Sequence, residues 1–340
     1  MKMHRLLLLL MLPLLSFGCE KMALESDYVF IRHKGADMPL WVRGNTDSEV
    51  FIIYLHGGPG GSSFIDIQND FLREIEAQYA VAYYDQRASG NAIGRSDEAL
   101  LTLPQFVEDL DIIVDFIQAK YNPEKTILLG HSWGGTLGTA YLLDPALQAK
   151  IDAWIEVDGG HNIGQTAYEY SRDYVLSVAE RQIEQNQEIE DWTAIQAYYE
   201  GISTWRAPEV IIQHSKYVTK AGGYFFDELN REGLVGLKQI LFSETDFLAL
   251  LAQNKQVVQN MDIWHYDFTA RLAEIQIPIL ILWGEHDGIL PVQLAYEAND
   301  ALNLAPDQFY VFQESAHSPH YEETELFNQK VLSFIADYVR

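Results

Sequence analysis

The 340-residue chain predicts an α/β fold: a mostly parallel central sheet flanked by helices, with one helical cap inserted. Three observations predict it. Short continuous apolar runs read as strands buried on both faces: VFIIYL at 50–55, TILL at 126–129 and ILILW at 279–283. Stretches of helical periodicity lie between such runs. One stretch, residues 161–268, breaks the alternation. It holds Tyr168, Tyr170, Tyr174, Trp192, Tyr198, Tyr199, Trp205, Tyr224, Phe225 and Phe226 on helical patterns without a strand–helix repeat. Apolar residues make up 48% of the chain, enough for a large core.

The elements follow in order. The start, MKMHRLLLLLMLPLLSFGC, has basic Lys2 and Arg5 before an apolar run too short for a comfortable membrane span. Residues 1–18 are therefore expected to be a signal peptide, outside the fold. Cys19 is the only cysteine, so no internal disulfide is possible. Its place just after Gly18 resembles a bacterial lipobox. The expectation is an exported lipoprotein, acylated at Cys19, with residues 19–27 as linker and no other membrane contact. Tyr28–Arg32 and Leu40–Gly44 flank Gly35-Ala36-Asp37 and read as an antiparallel hairpin.

Val50–Leu55 is the first buried strand and runs into the loop His56-Gly57-Gly58-Pro59-Gly60-Gly61. Phe64–Ile75 suits a short helix, and Ala80–Tyr84 a strand ending at Asp85-Gln86-Arg87. Thr102 opens a helix, with Pro104 in its first turn and Gln105 at the capping-box position. Phe106, Leu110, Ile113, Val114 and Ile117 share one face of it. Thr126–Leu129 and Ile151–Val157 are strands on either side of a helix at Trp133–Leu143. Ile279–Trp283 and Gln308–Phe312 are later strands, each followed by a helical pattern. The last helix runs through Leu326, Val331, Phe334 and Val339. The division expected is a core at 28–160 and 269–340, with the cap at 161–268.

Between TILL and its helix stands Gly130-His131-Ser132-Trp133-Gly134-Gly135. A strand that turns at once into a helix, with small residues around one serine, is the pattern of a nucleophile elbow. A serine hydroxyl needs a base within hydrogen-bond reach, and the base needs a group that fixes its tautomer. Both occur in loops directly after strands. ILILW ends in Gly284-Glu285-His286-Asp287, and QFYVF ends in Gln313-Glu314-Ser315-Ala316-His317. Asp287 and His317 are thus the candidate partners of Ser132, with His320 a weaker second base and His286 given no role. The oxyanion of a tetrahedral intermediate needs backbone donors. The N–H of Trp133 at the helix start and that of Gly58 in the glycine-rich loop are the candidates.

HGGPGG, DQRASG, GHSWGG, GEHD and SAH, in this order, resemble the prolyl aminopeptidase (proline iminopeptidase) branch of the α/β-hydrolases. The resemblance covers residues 28–340. It implies an α/β-hydrolase fold and a serine hydrolase with Ser132 as nucleophile, His317 as general base and acid, and Asp287 as its orienter. It also implies Gly58 and Trp133 as oxyanion donors, and Asp85 and Arg87 as scaffold. The sequence departs from the family pattern in two places. Ala88 stands where the family has glycine, and Asn91-Ala92-Ile93-Gly94 intervenes before Arg95-Ser96. In the cap, Tyr199-Glu200-Gly201 matches a Trp-Glu motif whose acid holds the substrate's free imino group, so Glu200 is the expected substrate contact. The second such acid has no counterpart in Lys220-Ala221-Gly222-Gly223-Tyr224-Phe225.

The leading expectation is an aminopeptidase acting on short peptides without a cofactor. An esterase or amidase for small acyl substrates is the alternative within the same mechanism. A non-catalytic surface lipoprotein with this fold is the alternative outside it. Epoxide hydrolases and dehalogenases of the fold would need an aspartate at position 132. The net charge of −26 argues against nucleic acid as a partner. No metal site is expected, since His286 and His317 lack a second spaced ligand pair and His56 belongs to its loop. Activity is expected to fall at acid pH as a histidine near its ordinary value of about 6.5 becomes protonated.

Overall fold

The computed structural model describes residues 27–67, 70–94, 96–226, 247–261 and 263–339. The expected signal segment, Cys19, nearly all of the expected linker and part of the expected cap lie outside the described residues.

Among the described residues, nine strands form one sheet. β1 (Asp27–His33) and β2 (Ala36–Gly44) are the expected hairpin, turning at Lys34-Gly35. β3 (Val50–Leu55), β4 (Ala80–Tyr84), β6 (Lys125–His131), β7 (Ala153–Val157), β8 (Ile279–Gly284) and β9 (Phe309–Phe312) follow the apolar runs. The spatial order is β1-β2-β4-β3-β6-β7-β8-β9. Every pair from β4 to β9 is parallel, and the hairpin joins antiparallel through β2 and β4. A two-residue strand, β5 (Ile93–Gly94), pairs with Ala36-Asp37 of β2. It is too short to have shown in the sequence.

Alternation within β3 explains why a continuous apolar run was needed. Phe51, Ile53 and Leu55 pack on one face, against the helix Leu103–Tyr121 through Phe106, Leu110 and Val114. Ile52 and Tyr54 pack on the other, with Phe327, Val331 and Phe334 of the helix Thr324–Tyr338. Full burial of each such side chain contributes about 1.5–3 kcal/mol relative to exposure.

Two local expectations are corrected. Phe64–Ile75 is two short helices, Ser63–Ile67 and Arg73–Glu76. Asp70, Phe71 and Leu72 between them belong to no helix, and Asp70 has positive φ. Thr102 does precede the helix Leu103–Tyr121, but its side chain caps nothing. Gln105 has been diverted: its amide donates to Asp109 at 3.1 Å and its oxygen accepts from Lys34 at 3.0 Å.

Between β7 and β8 the described residues are helical: Gln165–Glu184, Ile189–Glu200, Pro208–Lys220 and Phe247–Asn260. They have a core of their own around Val175, Trp192, Ile195, Tyr199, Trp205 and Val218. No helix among the described residues is long and apolar enough to cross a membrane.

Candidate active site

The six-residue stretch around Ser132 folds as an abrupt turn. β6 ends at His131 and the helix Trp133–Leu142 begins at once. Ser132 itself adopts φ 56° and ψ −117°, a conformation that side chains rarely occupy. It persists because the surroundings hold it. The Ser132 N–H donates to Val157 O at 3.0 Å, and Ser132 O accepts from Gly135 and Gly160 N–H at 2.8 and 3.0 Å. The glycines answer to space. A Cβ on Gly134 would stand 2.1 Å from Leu55 O, so only glycine lets the helix approach β3 this closely.

Parallel strands place the partners. β7 and β8 lie beyond β6, and β9 beyond β8, so the loops at their carboxyl ends meet above Ser132. His317 Nε2 lies 3.0 Å from Ser132 Oγ, and His317 Nδ1 lies 2.8 Å from Asp287 Oδ2. Asp287 is fully buried, and its other oxygen accepts from Ile289 and Leu290 N–H at 2.7 and 2.9 Å. The carboxylate can only accept, so Nδ1 carries the ring proton and Nε2 presents its lone pair to the serine hydroxyl. Burial pushes His317 down to about 3, well below the ordinary histidine value anticipated from the sequence. The imidazole is therefore neutral at neutral pH, as a base must be.

Asp158, at the end of β7, was not anticipated. It is fully buried, with φ 43°, and accepts from Gly284 N–H at 2.8 Å. Ligating atoms of Asp158, Asp287 and His317 all lie within 4.8 Å of one another. Burial, and then the charge of Asp287, raises Asp158 well above the usual carboxylate range; burial raises Asp287 as well. Two carboxyls so close in a dry site cannot both ionise, and the pair holds one negative charge behind the histidine. Both His317 nitrogens are committed, to Ser132 and Asp287, so the arrangement suits proton transfer rather than metal ligation. The sequence signal for Asp158 was an acid directly after a buried strand, akin to the loop position that pointed to Asp287.

The loop after β3 faces Ser132 from the other side. Gly58 and Trp133 line the same cavity as Ser132. Gly58 has φ 140°, and a Cβ there would stand 2.6 Å from Gly60 N, so glycine is required. Trp133 is the first residue of its helix, so its N–H has no carbonyl four residues back to occupy it.

Asp85-Gln86-Arg87 ties these pieces together. Asp85, raised to about 7 by burial, accepts from Ser63 N–H at 2.7 Å and Ser62 Oγ at 3.1 Å. Gln86 donates to His56 O at 3.2 Å and accepts from Trp133 Nε1 at 2.9 Å, joining the glycine-rich loop to the elbow helix. Arg87 is fully buried and paired at both ends with Asp109, at 2.6 and 2.7 Å. His131 Nε2 donates to His317 O at 2.8 Å and so steadies the base's backbone. Gln86 and His131 were quoted in the motifs without a role.

Other candidates are placed elsewhere. Glu200 is exposed on the outer side of the cap, in a depression shared with Arg172 and Asp173. Its helix turns Trp192, Ile195 and Tyr199 inward, and the next residue, about 100° round the helix, faces water. The expected substrate contact therefore does not line the cavity over Ser132. His320 is buried against Phe71, His131 and Tyr321, and its ring nitrogens make no hydrogen bond among the described residues. His286 stacks on Phe226. Of the cap aromatics, Tyr168 and Tyr224 line the cavity over Ser132, while Trp192, Tyr199 and Trp205 serve the cap's core.

Comparison with known proteins agrees with this architecture. The chain is 25% identical over 302 residues to a probable aminopeptidase, YbaC, of Bacillus subtilis (strain 168), covering 85% of this chain and 89% of that one. It is 26% identical over 301 residues to a proline iminopeptidase of Heyndrickxia coagulans, covering 85% and 90%. Among solved structures it is similar to a proline iminopeptidase-related protein from Thermus thermophilus, with a TM-score of 0.65, 19% identity and coverage of 92% and 97%. It is also similar to a putative aryl esterase from Burkholderia cenocepacia, with a TM-score of 0.60, 16% identity and coverage of 92% and 98%. The family model for the alpha/beta hydrolase fold matches residues 50–324, and with the parallel sheet and elbow already described, the chain belongs to the α/β-hydrolase family and resembles its prolyl aminopeptidases.

Proposed function

We propose that the chain is a serine hydrolase that cleaves small ester or amide substrates through an acyl-enzyme. The observation that carries this is the hydrogen-bonded series Ser132–His317–Asp287, at 3.0 and 2.8 Å, opening into a cavity. Ser132 Oγ attacks the carbonyl carbon as His317 Nε2 takes its proton. The oxyanion receives the Gly58 and Trp133 N–H groups. Asp287 stabilises the imidazolium that forms. His317 then gives the proton to the leaving oxygen or nitrogen, and the carbonyl re-forms as Ser132 ester. Water enters, loses a proton to His317 and attacks this ester. Return of the proton to Ser132 Oγ releases the acid.

The test uses the full chain with a short-chain p-nitrophenyl ester. Hydrolysis is expected, together with covalent labelling of Ser132 by a fluorophosphonate, and both should vanish in Ser132→Ala. Hydrolysis at the wild-type rate in Ser132→Ala would sink the proposal.

A second reading, an aminopeptidase releasing an N-terminal residue such as proline from short peptides, is favoured by the likeness to proteins with those names. Cleavage of a free prolyl amide, but of neither its N-blocked form nor the ester, would establish it. The reading extends to an exported enzyme anchored through Cys19. Cys19→Ser should then move the chain from the membrane fraction to the soluble one.

A further inference from the structure

We propose that the acyl side of this site takes a neutral, mainly apolar acyl group, and that His214 in the cap sets that preference. The inference rests on the serine-hydrolase reading above and names its substrate class.

The cavity over Ser132 has a volume of about 420 Å³. Its apolar wall includes Ile163, Ala167, Ile211, Val218, Ile289 and Leu290. Among the described residues that line it, none is an Asp, Glu, Lys or Arg. Polar groups do reach it, through Tyr168, Ser171, His214 and Ser215. Two of these belong to a chain of hydrogen bonds whose direction can be worked out.

Ser171 Oγ bonds Gly288 O. A carbonyl only accepts, so Ser171 spends its one proton there. Towards His214 Nε2, 2.8 Å away, Ser171 must therefore accept, and Nε2 carries the hydrogen. The neutral ring is then left with a lone pair on Nδ1, which accepts a hydrogen bond from the Tyr199 hydroxyl at 2.7 Å. The chain runs one way, Tyr199 to His214 to Ser171 to Gly288, and it uses the neutral imidazole. A second ring proton would point at the Tyr199 oxygen and reverse that bond. Tyr168, Tyr199 and Trp205 surround the ring, and burial pushes His214 down to about 4.

The wall facing the acyl group is thus polar in places but carries no charge at neutral pH. A cationic group entering it gives up its water without an opposite charge among the described lining residues, which is unfavourable. An apolar group of the same shape gains from burial. The chain also ends one residue beyond Asp287, where Gly288 N–H donates to Gly223 O at 2.9 Å. The neutral wall is therefore built into the seam between the cap and the loop of the acid.

The test compares two p-nitrophenyl esters that share one ring: cyclopentanecarboxylate and L-prolinate. They differ by a methylene against a protonated ring nitrogen. With the full chain at pH 6.5, corrected for spontaneous hydrolysis, kcat/KM is expected to favour the carbocycle by about tenfold or more. His214→Glu places a carboxylate in the wall and should bring the ratio to one or below. Ser215→Glu, on an exposed residue lining the same cavity, should lower it in the same direction if the first variant does not fold. A wild-type ratio of one or less overturns the substrate class. A uniform fall with both esters in His214→Glu, the ratio unchanged, overturns the assignment of His214. If neither ester is cleaved faster than by Ser132→Ala, the serine-hydrolase reading fails first and this inference with it.

Discussion

Replacing Asp287 by asparagine tests the site at its most determined point. The loop amides of Ile289 and Leu290 both donate to one Asp287 oxygen, at 2.7 and 2.9 Å, and His317 Nδ1 meets the other at 2.8 Å. An asparagine has one oxygen and one NH₂. The two amides, as fixed donors, will claim the oxygen. The NH₂ must then face Nδ1, which can answer only with its lone pair. The ring proton moves to Nε2, towards Ser132 Oγ, and the base can no longer take the serine proton. In serine–histidine–aspartate sites this inversion costs about 10⁴-fold in kcat. At about 1.36 kcal/mol per tenfold, that is ~5.5 kcal/mol of transition-state stabilisation. The loop hydrogen bonds survive, so the thermal midpoint should change little. Steady-state hydrolysis of a p-nitrophenyl ester by the full chain, with a circular dichroism melt of each variant, supplies the assay. A variant that keeps a tenth of wild-type kcat would show that Asp287 does not set the tautomer, and one that melts early would show that the loop was not preserved.

Three further predictions use the same ester. Because burial pushes His317 down to about 3, the acid limb of kcat/KM should have its midpoint below about 6.5; the neutral ring is the active form and is lost as pH falls, so a midpoint at or above that value refutes the dominance of burial. Asp158→Asn keeps an uncharged partner beside Asp287, so kcat/KM should stay within about threefold, whereas a loss of a hundredfold would mean that Asp158 itself bears the charge behind His317. Ala88 has φ 50°, where glycine is easier to accommodate, so Ala88→Gly should raise stability to urea by up to about 1 kcal/mol with kcat unchanged; a loss of stability would show that the alanine methyl packs more than its backbone strains.

The parts legible in the sequence were those that local pattern controls. Val50–Leu55 and Ile279–Trp283 are buried on both faces, so their apolar character is continuous, and chain order then assigns their loops. Ser132, Asp287 and His317 could be picked because each stands at the end of a strand or in the loop that follows one. The residues that escaped notice act through contacts distant in sequence. Asp158 meets Gly284 across 126 positions, His131 meets His317 across 186, Trp133 meets Gln86 across 47, and Ser171 meets His214 across 43. No local pattern encodes those distances. Glu200 lies away from the cavity over Ser132 for a different reason. A two-residue match carries no information about which face of a helix looks inward, and its neighbour Tyr199 is the residue that turns to the interior. The aromatic density of the cap was visible, but not its division between a private core and the cavity wall.

The departures from the family pattern separate catalysis from specificity. The Asn91–Gly94 insertion does not disturb the elbow. Asn91 N–H donates to Asp85 at 2.7 Å, and Ile93-Gly94 pairs with Ala36-Asp37 of the hairpin. The neighbouring hairpin carbonyls of His33 and Lys34 accept from Arg87, whose other partner is buried Asp109. The insertion therefore adds an edge strand to the scaffold that already fixes the glycine-rich loop, on the far side of the sheet order from Asp287 and His317. Removing one member of the buried Arg87–Asp109 pair would leave an uncompensated charge, at a cost of about 3–5 kcal/mol. The cap's contribution to the cavity comes from side chains on three helices and the loop of Asp287, tied together by the Tyr199–His214–Ser171–Gly288 hydrogen bonds. Ser132, His317 and Asp287 are thus held by the sheet and its loops, while among the described residues the cap lines the cavity with uncharged side chains, His214 included.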